Sequence, residues 1–217
     1  MTLKPISKPI SKPSSKPVAK ASAASKAKTI GSPSHELRII GGLWKRSKIK
    51  VIDKPGLRPT PDRVRETLFN WLGQDLTGWK CVDAFAGTGA LGFEAASRGA
   101  QQVDMMEQDA QLAKLLEATQ QRLKASAVIV QKTDALMGLQ RLTPGHFDLI
   151  FLDPPFEATY FQKAVKAAAL AVAPGAWVYL EAPQKWDAEA LHDSGLALVK
   201  YLKAGAVHAH LLQRPLE

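Results

Sequence analysis

From Lys80 onward, short apolar runs bounded by turn residues alternate with longer stretches whose apolar positions recur at helical spacing. The pattern predicts strands over Cys81–Phe85, Gln102–Met106, Ala127–Val130, Phe147–Leu152 and Ala176–Glu181. Between them it predicts helices over Ala90–Ser97, Ala110–Leu123, Ala135–Arg141 and about Thr159–Ala171. The last two runs, Ala197–Leu202 and Ala206–Leu212, are joined tightly through Ala204 and Gly205 and read as an antiparallel hairpin. Strands alternating with helices and closed by a hairpin predict an α/β fold. Its sheet is doubly wound, mostly parallel and seven-stranded, with an antiparallel C-terminal hairpin.

Upstream, Arg38–Gly42 and Ser47–Ile52 read as two short strands around a turn containing Leu43 to Arg46. Lys48 and Lys50 alternate with Ile49 and Val51, so one face of this small N-terminal β-hairpin is cationic and the other packs. Trp44, Lys45 and Arg46 cluster with those lysines as candidate nucleic-acid contacts. Leu57 to Asp62 is a rigid proline-containing link. Thr60 is placed to cap a helix with Pro61 in its first position and Asp62 near its positive end. That helix is expected to reach about Leu72, turning Val64, Leu68, Trp71 and Leu72 to the core. Arg58, Arg63, Arg65 and Asn70 remain as polar groups at its start or on its other face.

Residues 4–19 are four tetrads beginning Lys-Pro, and the tract through Ile30 has seven lysines and no acid. Proline every fourth residue excludes helix and sheet, so 1–35 is read as a disordered, partly polyproline-II basic arm. The expected organisation is that arm, a nucleic-acid-contacting hairpin over 36–57, and one α/β domain over 58–217.

Charge sharpens this picture. Residues 1–58 hold 14 Lys and Arg against two acids, a net +12, whereas the remainder is −3. A basic quarter on an acidic body points to a polyanionic partner approached from one side. No apolar run approaches the ~20 residues of a membrane span, and no secretory h-region is present. The lone Cys81 sits in an apolar run, and the expectation is a monomeric protein of the reducing cytoplasm. His35, His146, His192, His208 and His210 show no ligand spacing with Cys81, so no metal is expected.

Two stretches carry chemistry. In the first, Phe147 to Leu152 runs into Asp153-Pro154-Pro155-Phe156. The prolines stop the ladder, which places the Asp153 carboxylate at the strand's C-terminal edge, where open parallel sheets bind ligands. A rigid pair of acceptors beside an aromatic face suits a planar amine. In the second, Asp83, Phe85, Gly87, Thr88, Gly89 and Gly92 lead from a strand into a helix, and the glycines fit G-x-G-x-x-G. Twenty residues past Gly87, Glu107 ends the next strand, placed to accept from ribose hydroxyls. The glycines alone fit a dinucleotide or S-adenosylmethionine. Asp83 ahead of them suits an ammonium or sulfonium better than a pyrophosphate, and Asp153 lies beside the reactive end. Asp134, next to Ala135 after the third strand, is placed to accept from an adenine amino group.

Asp-x-Phe-Ala-Gly-Thr-Gly-Ala-Leu-Gly from Asp83 and Asp-Pro-Pro-Phe from Asp153 resemble motifs I and IV of class I amino-methyltransferases. Gly41-Gly42-x-Trp44-Lys45 and the block Leu57-Arg58-Pro59-Thr60-x-Asp62-Arg63-Val64-Arg65-Glu66-Thr67-Leu68-Phe69-Asn70 narrow this to the RsmD family. The resemblance runs from about Arg38 to the C-terminus, and the Lys-Pro arm has no counterpart in it. It implies a Rossmann-like class I methyltransferase fold, S-adenosylmethionine as cofactor, and transfer to the N2 amine of a guanine in small-subunit (16S) ribosomal RNA. The RNA would be met in an assembling or assembled subunit. Asp83, Phe85, Gly87, Thr88, Gly89, Glu107, Asp134 and Ala135 then hold the cofactor. Asp153 and the Pro154 carbonyl accept the amine's hydrogens, Pro155 stiffens the turn and Phe156 stacks on the base. Trp44, Lys45, Arg46, Arg58, Thr60, Arg63, Arg65 and Asn70 contact RNA.

Three rivals remain. A DNA adenine-N6 methyltransferase uses the same two motifs, but 217 residues leave no room for a target-recognition domain. A nicotinamide oxidoreductase leaves Asp153 to Phe156 unexplained. A non-enzymatic assembly factor leaves Asp83, Glu107 and Asp153 without a purpose.

Overall fold

The computed structural model describes residues 36–54, 57, 59–154 and 158–216, without the side chains of 158 and 159. The expected arm over 1–35, Arg58, Pro155 and Phe156 lie outside the described residues. Within them the chain forms β1 (Glu36–Arg38), β2 (Lys48–Lys50), α1 (Asp62–Trp71), β3 (Lys80–Asp83), α2 (Ala90–Ser97), β4 (Gln102–Glu107) and α3 (Ala110–Leu123). It continues through β5 (Val128–Lys132), α4 (Ala135–Gln140), β6 (Phe147–Leu152), α5 (Ala158–Ala171), β7 (Val172–Ala182) and α6 (Ala188–Leu191). A 3₁₀ turn over His192–Ser194, β8 (Ala197–Ala204) and β9 (Val207–Gln213) complete it.

Seven strands form one sheet in the order β5-β4-β3-β6-β7-β9-β8. All neighbours are parallel except β9, which runs antiparallel to both β7 and β8. β6 lies inside the sheet, and Leu149 to Leu152 are completely buried. Burying each such side chain stabilises by ~1.5–3 kcal/mol. Alternation sends Leu149 and Phe151 into one core with Leu68 and Phe69 of α1 and Phe93 of α2. Ile150 and Leu152 enter the other core with Phe161 and Val165 of α5 and Leu139 of α4. The sheet is therefore covered on both faces, which is why Leu149 to Leu152 of its central strand are all apolar.

The N-terminal hairpin departs from expectation in an informative way. β1 pairs with β2 from Glu36↔Lys50 to Arg38↔Lys48 and stops at Arg38 instead of running through Gly42. Glu94 is the cause. Its carboxylate accepts from the Ile40 and Gly41 amides, both at 2.7 Å, drawing them out of any ladder. Gly42 follows with φ +71°, and a Cβ there would overlap the Ser97 carbonyl. Leu43 N donates to that carbonyl and Trp44 N to the Ser97 hydroxyl, so the hairpin tip is fastened to the end of α2.

Every residue of α2 is buried, between the sheet and this hairpin, which accounts for its three alanines and one glycine in eight residues. Thr60 does not cap α1. Pro61 occupies the cap position with no side-chain bond, and Asp62 instead accepts from Arg65 at 2.7 Å. β7 starts earlier than its apolar pattern suggests, across a register shift between Phe147 and Leu149.

Candidate active site

The C-terminal ends of β3, β4, β6 and β7 open onto a cavity of about 1040 Å³. Each end contributes an acid: Asp83, Glu107, Asp153 and Glu181 all line it. A volume of this size exceeds the usual drug-sized pocket and accommodates a nucleoside-sized ligand together with a base.

Beyond Asp83 the chain turns sharply into α2. Gly87 has φ +50°, and its amide donates to Glu107 Oε2 at 2.9 Å. Glu107 Oε1 accepts from the Asp109 amide at 2.8 Å. Two backbone donors thus hold this carboxylate at the rim, and a carboxylate's ~four lone-pair sites leave acceptor capacity for ligand hydroxyls. Gly92 N donates to Asp83 Oδ2 at 2.9 Å. A Cβ at Gly92 would lie 2.9 Å from Met105 Cε and 3.1 Å from Asp83 Oδ2, so glycine is what lets α2 sit against the sheet. Gly89 is different. Its φ is +79° and a Cβ would crowd Leu116 and Phe93 at 2.7 Å, so it serves packing and does not line the cavity.

Burial pushes the Asp83 carboxyl up to about 7; the Gly92 amide opposes the shift and the charges of Glu107 and Glu181 reinforce it. Burial also holds Asp153 well above the ordinary carboxylate range, with Glu181 and then Asp83 adding to the effect. Carboxylates crowded in this way favour a cationic ligand, because an opposite charge relieves both their burial and their repulsion. The donor set therefore fits a sulfonium or ammonium group together with a ribose. Phe85 and Tyr160 supply an aromatic wall, with ring centroids 5.8 Å apart at 63°. Asp134 does not line the cavity: Oδ1 caps α4 through the Met137 amide and Oδ2 accepts from the Tyr160 hydroxyl at 2.9 Å. Its place is behind that wall, while Ala135 lies on the cavity itself.

At the end of β6, Asp153 and Pro154 both line the cavity. Thr60, buried between Pro59 and Pro61, lines it from the link before α1. The other expected RNA contacts divide. Lys45 and Arg46 are exposed at the hairpin tip and Trp44 is half-buried against the core. Arg63 and Asn70 are exposed on α1. Arg65 is not available for an RNA contact: it is fully buried, paired with Asp62 and Glu94, and donates to the Arg38 carbonyl at 3.0 Å.

Glu181 went unrecognised in the pattern. It is buried, and its Oε1 accepts from the hydroxyl of the fully buried Tyr179 at 2.9 Å. Burial, then the Glu181 charge, holds that phenol well above its ordinary range. The available signal was a lone acid closing an apolar strand at the sheet's ligand-binding edge.

The strand order and this row of strand-ending acids define the class I methyltransferase fold. A precorrin-6y C5,15-methyltransferase from Geobacter metallireducens shares it at 16% identity (TM-score 0.61, 76% of this chain and 94% of that one), a likeness of fold alone. The family model described as conserved hypothetical protein 95 matches residues 37–213. The Haemophilus influenzae protein named ribosomal RNA small subunit methyltransferase D is 39% identical over 186 residues, 82% of this chain and 94% of that one. Its Escherichia coli namesake is 42% identical over 134 residues, 62% and 67% of the two chains. The solved structure of Escherichia coli yhhF superposes with a TM-score of 0.73 at 34% identity, covering 84% of this chain and 100% of that one. The chain belongs to this family, the RsmD family that its motifs resemble.

Proposed function

We propose that the protein transfers a methyl group from S-adenosylmethionine to the exocyclic N2 amine of a guanine in small-subunit ribosomal RNA. The observation that carries this reading is the convergence of Asp153 and Pro154 on the cavity that Asp83, Gly87 and Glu107 also line. A family whose named relatives methylate ribosomal RNA supplies the substrate class. Asp83 would face the cofactor's cationic end, Glu107 its ribose hydroxyls, and Phe85 with Tyr160 its base. When bound, the cofactor supplies an electrophilic methyl group on a positively charged sulfur.

A guanine amine is a poor nucleophile because its lone pair is delocalised into the ring. Asp153 and the Pro154 carbonyl would accept its two hydrogens and hold the nitrogen with its lone pair turned toward the methyl donor. Positioning of this kind supplies ~7–11 kcal/mol of a barrier. Asp153 also favours the positive charge that builds on nitrogen, and it must be ionised to do so. The target base would be turned out of its stack to enter, with Phe156 stacking on it. The hairpin's Lys45, Arg46, Lys48 and Lys50, exposed Arg63 of α1, Arg58 and the arm over 1–35 would hold phosphates. We place the reaction in the cytoplasm, on an assembling or assembled subunit, with a monomer as the active form.

Tritium transfer from labelled S-adenosylmethionine into naked small-subunit RNA, assembled subunits and plasmid DNA tests the reading. Label recovered as N2-methylguanosine from RNA is the expected result. Label in adenine of DNA would replace it with the rival methyltransferase reading.

A further inference from the structure

The sheet register places a second acid directly beside Asp153. β6 and β7 pair in parallel through Phe151↔Tyr179 and Leu152↔Leu180. Continuing that register by one residue sets Asp153, just past the end of β6, beside Glu181 of β7, near enough for the Glu181 charge to act on Asp153. Both line the cavity. Tyr179, two residues before Glu181 and on the same face, donates its hydroxyl to Glu181 Oε1, which fixes the carboxylate at that edge.

A guanine presents two adjacent donors along its Watson–Crick edge, N2–H and N1–H. Adenine and 2-aminopurine present an acceptor at N1. A base whose amine sits at Asp153 therefore turns its N1 toward the neighbouring strand end. We propose that Glu181 is the guanine-reading residue of this site, its carboxylate accepting the N1–H of the base whose N2 amine is held by Asp153 and Pro154. The inference rests on the reading of the site as a guanine-N2 methyltransferase and adds to it a specificity determinant. An acceptor buried at N1 rejects a base that brings another acceptor there, because two lone pairs are then left facing each other without a proton. Selectivity would come from that repulsion as much as from the bond to guanine.

Among the described residues, the ionisable groups near this position include Asp153 at the end of β6, the neutral phenol of Tyr179 on β7 and Asp83 at the end of β3. Lys54, which also lines the cavity, is ion-paired with Asp109.

The test begins by mapping the nucleotide that the wild-type protein methylates in small-subunit RNA. That nucleotide is then replaced by 2-aminopurine, which keeps the 2-amino group and lacks N1–H. Binding is followed without methyl donor, by 2-aminopurine fluorescence and by competition against the guanine RNA, and single-turnover methylation is followed in parallel. Wild type is expected to prefer guanine RNA over the 2-aminopurine RNA by ~10- to 100-fold in binding, as for loss of a hydrogen bond to a charged group. Glu181→Gln, whose amide can donate to N1, is expected to narrow that preference to a few-fold by gaining affinity for the 2-aminopurine RNA. Glu181→Ala is expected to lose affinity for guanine RNA without that gain. Equal wild-type affinity for the two RNAs would overturn the inference without recourse to any variant. So would a Glu181→Gln protein that binds cofactor normally and keeps the wild-type preference. Absence of any methylated guanine at the mapping step would instead remove the underlying reading.

Discussion

A carboxyl that titrates near neutrality reports on whatever cation is brought beside it, and Asp83 is such a group. Its proton affinity is raised, to about 7, so in the ligand-free protein at pH 6 it is mostly protonated. A sulfonium or ammonium ligand favours the ionised form, so binding must displace the proton. Affinity for S-adenosylmethionine is expected to rise between pH 6 and 8, with proton release below about 7. Calorimetry in buffers of different ionisation heat reads this directly, and proton uptake would place the cation elsewhere. Glu107 gives a second test at this scale. Glu107→Ala removes the proposed ribose acceptor and the anchor of the Gly87 amide, and losing bonds to a charged group costs ~1.5–3 kcal/mol. A 10- to 100-fold loss of cofactor affinity is expected by the same calorimetry. Asp83, Glu107 and Asp153 were legible because each ends an apolar run inside a recognisable spacing. Glu181 was not, because an isolated acid carries no spacing, and its meaning comes only from the register that sets it beside Asp153. Asp134 looked like a ligand for the same local reasons that make it a helix cap.

At the scale of elements, the hairpin and α2 show where periodicity stops being informative. The pattern grouped Arg65 with Arg58, Arg63 and Asn70 as polar groups at the start of α1 or on its other face. It lies instead on the buried face with Leu68 and Phe69, and its guanidinium reaches the Arg38 carbonyl of β1. Arg65 and Arg98 both pair with Glu94, and all three are buried. None of these pairings is local in sequence except that of Arg98, so no pattern within a single element reveals them. Glu94 also receives the Ile40 and Gly41 amides, which makes it the point that joins hairpin, α1 and α2. Removing one partner of a buried ion pair costs ~3–5 kcal/mol, because the remaining charges are left without compensation. Glu94→Ala is therefore expected to lower the denaturation free energy by about that amount and to speed hydrogen exchange at Ile40 and Gly41. Unchanged exchange there would show that the hairpin is held by its apolar packing alone. The strand–helix alternation itself was legible, since a doubly covered sheet demands apolar strands and turn residues between them. α6 and the 3₁₀ turn were not, being too short to show a period.

Across the whole molecule, the sheet edge gathers acids while the N-terminal quarter gathers lysines and arginines. Under the proposed function such a division would draw a polyanion to the basic N-terminal quarter and leave the cavity for a cation. Residues 1–30 hold seven lysines and none of the motif residues. Deleting them is expected to weaken RNA binding and to flatten its salt dependence, by ~0.7–0.9 in log–log slope for each phosphate that is no longer neutralised. Turnover at saturating RNA is expected to survive. A salt slope identical to that of the full chain would show that the arm does not touch RNA.

The most direct measurement of the central claim is single-turnover methyl transfer to small-subunit RNA by wild type, Asp153→Asn and Asp153→Ala, with cofactor affinity determined in parallel. Asn keeps an acceptor oxygen but no negative charge to favour the cation forming on nitrogen. Removing one preorganised electrostatic interaction costs ~10²–10³ in rate. Asp153→Asn is expected to lose about that much while binding cofactor normally, and Asp153→Ala to lose more. A folded Asp153→Ala protein that methylates at the wild-type rate would contradict the account.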